Sequence, residues 1–273
     1  MDQYESIVAA ASASLNEIEE NISLREDFKA LFVGRAGEIY HHDRIRDSMD
    51  LRGLLDRALA RKSVSEDPLN RGLYVEVVSV LERSVKSIVG ATVRSHESAF
   101  SKFSEYPGPF QNKQLSNAGK ALTHIGAGHV SGVTFDFEAL KLSLENCLSD
   151  GTPVLLSGDS FTTFLGNCTP GKLRTVFLSI GIEEPFDDKI ALSAAAVAWS
   201  NGLAGRDVTN AVKAGLKSMV ETRNNIVHGP LAGTVITSDN VRMASRLVST
   251  LVDVFVEKAR RADLSRVSDD VEE

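Results

Sequence analysis

The stretch LYVEVVSVLERSVKSIVGATV (residues 73–93) admits two readings. By propensity alone its valines favour a β-strand. Its spacing does not. Leu73, Val77, Leu81, Val85, Ile88 and Thr92 recur every three or four residues and make one stripe of an α-helix. Glu76, Glu82, Arg83 and Lys86 fall between them, where a helix presents charge to water and a half-buried strand would not.

The same period extends in both directions. Upstream, residues 4–23 carry Ile7, Ala10, Ala11, Leu15 and Ile18 on one stripe, and 24–33 continue that helix or form a second. The polar HHDRIRDS (41–48) interrupts the pattern, which resumes over 49–61 with Leu51, Leu54, Leu55 and Leu59. KSVSEDPLNRG (62–72) reads as a linker. Downstream, YPGP (106–109) is a break, 111–125 a helix and GAGHVSG (126–132) a loop. Residues 135–149 align Phe137, Leu140, Leu144 and Cys147, and two short helices (160–166 and 171–181) flank the turn Thr169-Pro170-Gly171. Helices are expected over 188–201, over 208–228 and after residue 238, the last capped by Ser238 or Asp239 with Val241, Ala244, Leu247, Leu251, Val254 and Phe255 inward. Residues 234–237 have room for one short strand, and one strand cannot make a sheet. The fold class is all-α. The chain divides into an N-terminal helical segment (1–62, regulatory or dimerising), a linker (63–72), a helical domain (73–262) and a flexible acidic tail (263–273).

The 273 residues carry 30 basic and 37 acidic side chains, a net charge of −7 that argues against a broadly cationic nucleic-acid binder or a polybasic membrane protein. The charge is uneven: −5 over residues 1–70, +3 over 71–133, −5 over 134–200, +4 over 201–262 and −4 over 263–273. Anion contact is therefore expected from the second and fourth segments. Cys147 and Cys168 have no CxxC partner pattern, which gives neither a disulfide framework nor a zinc site. There is no basic signal-peptide start and no apolar run of about 18 residues, so a cytoplasmic chain without a membrane span is expected.

Several outlines fail on inspection. GNCTPGK (166–172) has the GxxxxGK form of a phosphate loop, but Leu173 stands where Ser or Thr would hold Mg²⁺, and no βαβ series surrounds it. His41, His42 and Asp43 cluster without further ligands nearby, and His96, His124 and His129 read as surface histidines rather than ligands.

VETRNNIVHGP (220–230) is different. Val212, Leu216, Met219, Arg223 and Ile226 share one stripe, so a guanidinium occupies an apolar position. Burying it unpaired is costly, and it is expected to meet an anion or to face a cleft or interface. Gly229-Pro230 stops the helix, glycine suiting a left-handed terminus, and His228 falls in the last turn, where the helix dipole favours a cation. Arg223 and His228 are five apart, about 140° around a regular helix, so one chain does not bring them together, whereas two copies about a twofold axis can.

Arg223-Asn224-Asn225-Ile226-Val227-His228-Gly229 resembles the R-polar-xxx-H signature of the HEPN superfamily of helical RNases. YVEVVSVLERSVKSIVGA (74–91) resembles the first core helix of that superfamily, with Glu82 where related sequences often carry an acid. CTPGKLRTVFLSIGI (168–182) resembles the element of a short helix followed by L-G-I that precedes the motif helix, and the helix after 238 fits the closing one. The order is closest to the RiboL-PSP type, over roughly residues 70–260. Arg35 to His41 has the same spacing, with Ala36 at the polar position.

The resemblance implies an antiparallel helical bundle with an extra N-terminal segment. It implies a metal-independent endoribonuclease, active as a homodimer and without a cofactor. Arg223 would bind the scissile phosphate, Asn224 orient it or the histidine, and His228 act as general acid or base, with Glu82 as an accessory residue or as the partner of Arg223. It further implies RNA as substrate, a toxin or phage-defence setting, and a regulatory protein or antitoxin as restraint. Two other readings follow from the same residues. One is a non-catalytic HEPN module that binds RNA, a nucleotide or a protein. The other is a structural helical protein in which Arg223 pairs with an internal acid.

Overall fold

Residues 73–93 are helical and lie within one long helix. The computed structural model describes residues 2–41, 67–126, 136–163, 165–187, 190, 194–200, 202–229 and 235–267, with the backbone alone for 28–41, 67, 124–126, 194, 195 and 198. The α-helices are α1 (Gln3–His41), α2 (Asp67–Ser95), α3 (Gly108–Gly126), α4 (Phe137–Leu148), α5 (Asp159–Thr162), α6 (Pro170–Ser179), α7 (Ala194–Trp199), α8 (Arg206–His228) and α9 (Ser238–Ala259). The described residues contain no strand. The fold is all-α.

At its centre α2 lies against α9. Both are buried on more than one face: Val77, Val78, Leu81, Val85, Ile88 and Val89 on α2, and Val241, Leu247, Val248, Leu251, Val252 and Phe255 on α9. This explains the valine richness of 73–93, since a helix packed on several sides needs apolar residues beyond one stripe. The inward set expected for α9 is buried throughout. On α1, Tyr4, Ala11, Leu15, Ile18 and Ile22 enter the same core, Ile7 is partly buried, and Ala10 faces water. The N-terminal helix therefore shares one hydrophobic core with the rest of the chain.

Cross-helix bonds fix the directions. Tyr4 Oη lies 3.2 Å from Thr92 Oγ1, Arg260 reaches Asp2 at 3.1 Å, and Arg25 donates to Ser238 Oγ at 2.7 Å. The start of α1 thus meets the ends of α2 and α9. At the opposite end Asn70 Nδ2 donates to Ile236 O at 2.8 Å. Hence α1 is antiparallel to both, while α2 and α9 run in the same direction. The like direction of α2 and α9, each antiparallel to α1, is possible because a long stretch of chain returns between them.

Other differences have local causes. The helix expected at residue 73 begins at Asp67, so the last part of the expected linker (67–72) is its first turns. Thr237, not Ser238 or Asp239, caps α9: its Oγ1 accepts from Asn240 N at 3.2 Å, and Asn240 Oδ1 accepts from Thr237 N at 3.0 Å, a reciprocal box. Residues 235–237 form no strand, and the Ile236 carbonyl is taken by Asn70 instead. Phe137 is exposed on α4, whereas Leu140 and Cys147 are buried, and His96, expected at the surface, is buried with Nε2 3.0 Å from Ile180 O. The tail is docked through residue 267: Asp263 N donates to Gly181 O at 2.9 Å and Leu264 is buried. His42, Asp43, residues 49–61 and His129 lie outside the described residues.

Candidate functional site

The amphipathic pattern of 206–228 places α8 against α2 and α9, with Val208, Val212, Leu216 and Met219 fully or almost fully buried. At its start Thr209 Oγ1 donates to Asp187 O at 3.3 Å, and Asp187 pairs with Lys258 near the end of α9 at 2.8 Å. α8 therefore runs opposite to α2 and α9, and its last turn arrives where those helices begin. Burial fades along the stripe: Arg223 and Ile226 are half-buried, and His228 is exposed. The motif sits at the wet end of the bundle.

Arg223 Nη1 donates to Asn224 Oδ1 at 3.2 Å. Its Nε is buried and has no hydrogen-bond partner. Among the described residues it makes no ion pair. Glu82 faces it from α2, near enough for attraction though not for a salt bridge. Burial raises the Glu82 carboxyl above its ordinary value, and the charges of Arg223 and Lys86 offset part of that rise. Asn224 thus holds the guanidinium rather than the histidine. The structural-protein reading required an acid paired to Arg223, and that pair is not formed among the described residues.

The helix stays regular through His228, and Gly229 N donates to Asn225 O at 3.0 Å. Arg223 and His228 therefore keep the angular separation of about 140° that a regular helix dictates. Gly229 is not left-handed as expected, with φ −85° and ψ 166°. Glycine is needed there for space, since a Cβ would lie 2.5 Å from the Asn225 carbonyl oxygen.

Tyr74 and Thr222 were not singled out by the sequence. Tyr74 is buried beside Thr222, and both line a cavity of about 330 Å³ with Trp199 and Met243, one residue away from Arg223. Trp199 is anchored by Nε1 donating to Met243 O at 3.2 Å and packs over Gly215, where a Cβ would collide with its ring. Only the adjacency of Tyr74 to the RNNIVHG helix in space marks it. Cys147 and Cys168 are free and buried, and burial pushes their thiols up to about 11 and about 12. Neither is a reactive thiolate at neutral pH.

GNCTPGK is a helix-linking turn, with Thr169 before α6 and Pro170 in its first position. Among the described residues no group of His, Cys, Asp and Glu is placed to hold a metal ion, and no helix is long and apolar enough to cross a membrane. Comparison with protein-family models, with curated proteins and with solved structures gives no match.

Proposed function

We propose that this chain is a metal-independent endoribonuclease of HEPN type that cleaves RNA in a cleft between two copies, in a toxin or defence setting where a protein partner restrains it. The observation that carries the reading is the state of Arg223. Its guanidinium is steadied by Asn224, its buried Nε is unmatched, and no carboxylate among the described residues neutralises it. A cation held in this way is suited to an incoming phosphate.

The chemistry is transesterification. A base takes the proton from the ribose 2′-OH, and the 2′ oxygen attacks the adjacent phosphorus. The P–O5′ bond breaks and an acid protonates the leaving 5′ oxygen. The products are a 2′,3′-cyclic phosphate and a 5′-OH. Arg223 stabilises the charge that develops on the phosphorane oxygens. His228, exposed at the helix end, exchanges the proton. Because Arg223 and His228 diverge on a straight helix, the arginine of one copy and the histidine of the other are the pair that meets one phosphate.

The test is cleavage of a structured RNA in EDTA, with end-group analysis and sedimentation. Cyclic phosphate ends, dimeric enzyme, and loss of cleavage in folded Arg223→Ala and His228→Ala variants are expected. Wild-type cleavage by both variants, or cleavage that requires a metal, overturns the proposal. Saturable RNA binding without cleavage would favour the non-catalytic module.

A further inference from the structure

A cavity of about 690 Å³ lies between α3, α5 and α6. Its cationic lining comes from Lys113, Lys120, Lys172 and Arg174, and no carboxylate lines it among the described residues. That is unusual in a chain of net charge −7. A second cavity of similar size, between α1 and α2, sets Lys86 and Arg94 against Glu97, Asp136 and Asp159, so its charges compensate internally. In the first cavity Lys120 and Lys172 have no such counter-charge on the lining. Lys120 and Lys172 are exposed and form no ion pair among the described residues, while Glu184 fixes Arg174 at the rim.

Asn117 points to a ligand independently. Lys113, Asn117 and Lys120 follow at i, i+4 and i+7, one stripe of α3. Asn117 lines the cavity at only 8% exposure, and its carboxamide makes no hydrogen bond to any described residue. Its amide lines the cavity with both a donor and an acceptor to offer. Beside it α6 begins without a side-chain cap, so the first-turn amides of Gly171 and Lys172 add positive potential at the cavity wall. The floor is apolar, made by Phe161, Leu165 and Val176. Inorganic phosphate has no use for such a floor, whereas a flat ring does. The volume is that of an ordinary small-molecule site.

We propose that this cavity binds an organic phosphate with a planar apolar body. The phosphate lies on Lys120, Lys172 and the start of α6, the ring lies over Phe161, Leu165 and Val176, and Asn117 bonds the junction or the ring edge. Leu173 supplies no hydroxyl for Mg²⁺, so the site lacks the phosphate-loop arrangement, and the role proposed is binding. Its lining shares no residue with the RNNIVHG motif, and the proposal does not depend on the ribonuclease reading.

The test is direct titration of the full chain with naphthyl phosphate and with ATP, alongside inorganic pyrophosphate and a single-stranded oligoribonucleotide. Naphthyl phosphate or ATP is expected to saturate and to bind at least about tenfold tighter than pyrophosphate. The exposed-site double variant Lys120→Glu/Lys172→Glu is expected to weaken that binding by at least about tenfold, with an unchanged circular dichroism spectrum. Arg223→Ala is expected to leave it intact, which separates this site from the ribonuclease centre. No saturation at millimolar ligand, equal affinity for pyrophosphate, or unchanged affinity in the folded double variant overturns the proposal. So does oligoribonucleotide binding that depends on these lysines while naphthyl phosphate and ATP fail to bind.

Discussion

Replacing Arg223 by methionine is expected to abolish RNA cleavage while costing the fold almost nothing. The side chains are similar in length, so packing along the α8 stripe is largely kept. Leaving a buried donor such as Nε unmatched costs about 1–3 kcal/mol, and methionine removes that cost. The variant forfeits one hydrogen bond, to Asn224, worth about 0.5–1.5 kcal/mol. It also loses the attraction to Glu82, which forms no salt bridge and is worth no more than about 1 kcal/mol. The balance lies within about 1 kcal/mol of zero. Removing one member of a true buried ion pair would instead cost about 3–5 kcal/mol. Urea denaturation at neutral pH, followed by circular dichroism, separates these cases. A loss above about 2 kcal/mol would show that the guanidinium is a structural partner and would refute the reasoning. Glu82→Gln is the companion measurement. Burial raises the Glu82 carboxyl above its ordinary 4.5, so the ionised form burdens the folded state at neutral pH. The substitution is expected to stabilise there, and its gain to vanish as pH falls below 4.5.

Three further outcomes are expected. His96 is buried with Nε2 3.0 Å from Ile180 O, and burial lowers its imidazole below 6.5. The unfolded chain therefore takes up the proton first, and stability present above pH 6.5 is lost as pH falls. His96→Gln is expected to flatten that slope in denaturation curves, and an unchanged slope would contradict it. Gly158→Ala is expected to destabilise by about 1–3 kcal/mol in the same assay, because its Cβ would stand 2.5 Å from Gly90 Cα, where backbone must yield; a neutral result would mean that this approach is loose. Arg242→Met removes the bonds at 2.8, 3.1 and 2.7 Å that tie α9 to Glu19 and Glu26 of α1. Arg242 holds the Glu26 carboxyl below its ordinary range, so a loss of about 1–2 kcal/mol is expected at neutral pH and low salt, shrinking in high salt and as Glu26 is protonated; a salt-independent loss would point to packing instead.

The helices were legible because their signal is local. The four-residue recurrence over 73–93 outweighed the strand propensity of its valines, and the same logic located α8 and α9 to within a few residues. Cap details were less legible: Thr237 competes with Ser238 and Asp239 as a cap, and only backbone geometry chooses. Gly229 was expected to be left-handed and is needed for carbonyl clearance instead. The site was legible in part. Arg223 stood out as a charge on an apolar stripe, but whether an acid would neutralise it depended on the distance to Glu82, which is remote in sequence. Lys113, Asn117 and Lys120 could have been noticed as one helical stripe, yet nothing local pairs that stripe with Lys172.

By itself, then, the sequence determined the all-α class, the core faces of the helices and the position of RNNIVHG at a helix end, since helical period and stop signals act over a few residues. The tertiary structure decided the parallel course of α2 and α9, the inclusion of α1 in a common core, the unpaired state of Arg223 and the convergence of cations around Asn117. Those outcomes depend on how separate helices pack and on which charges that packing leaves without a counter-charge, and neither quantity is written in any single stretch of chain.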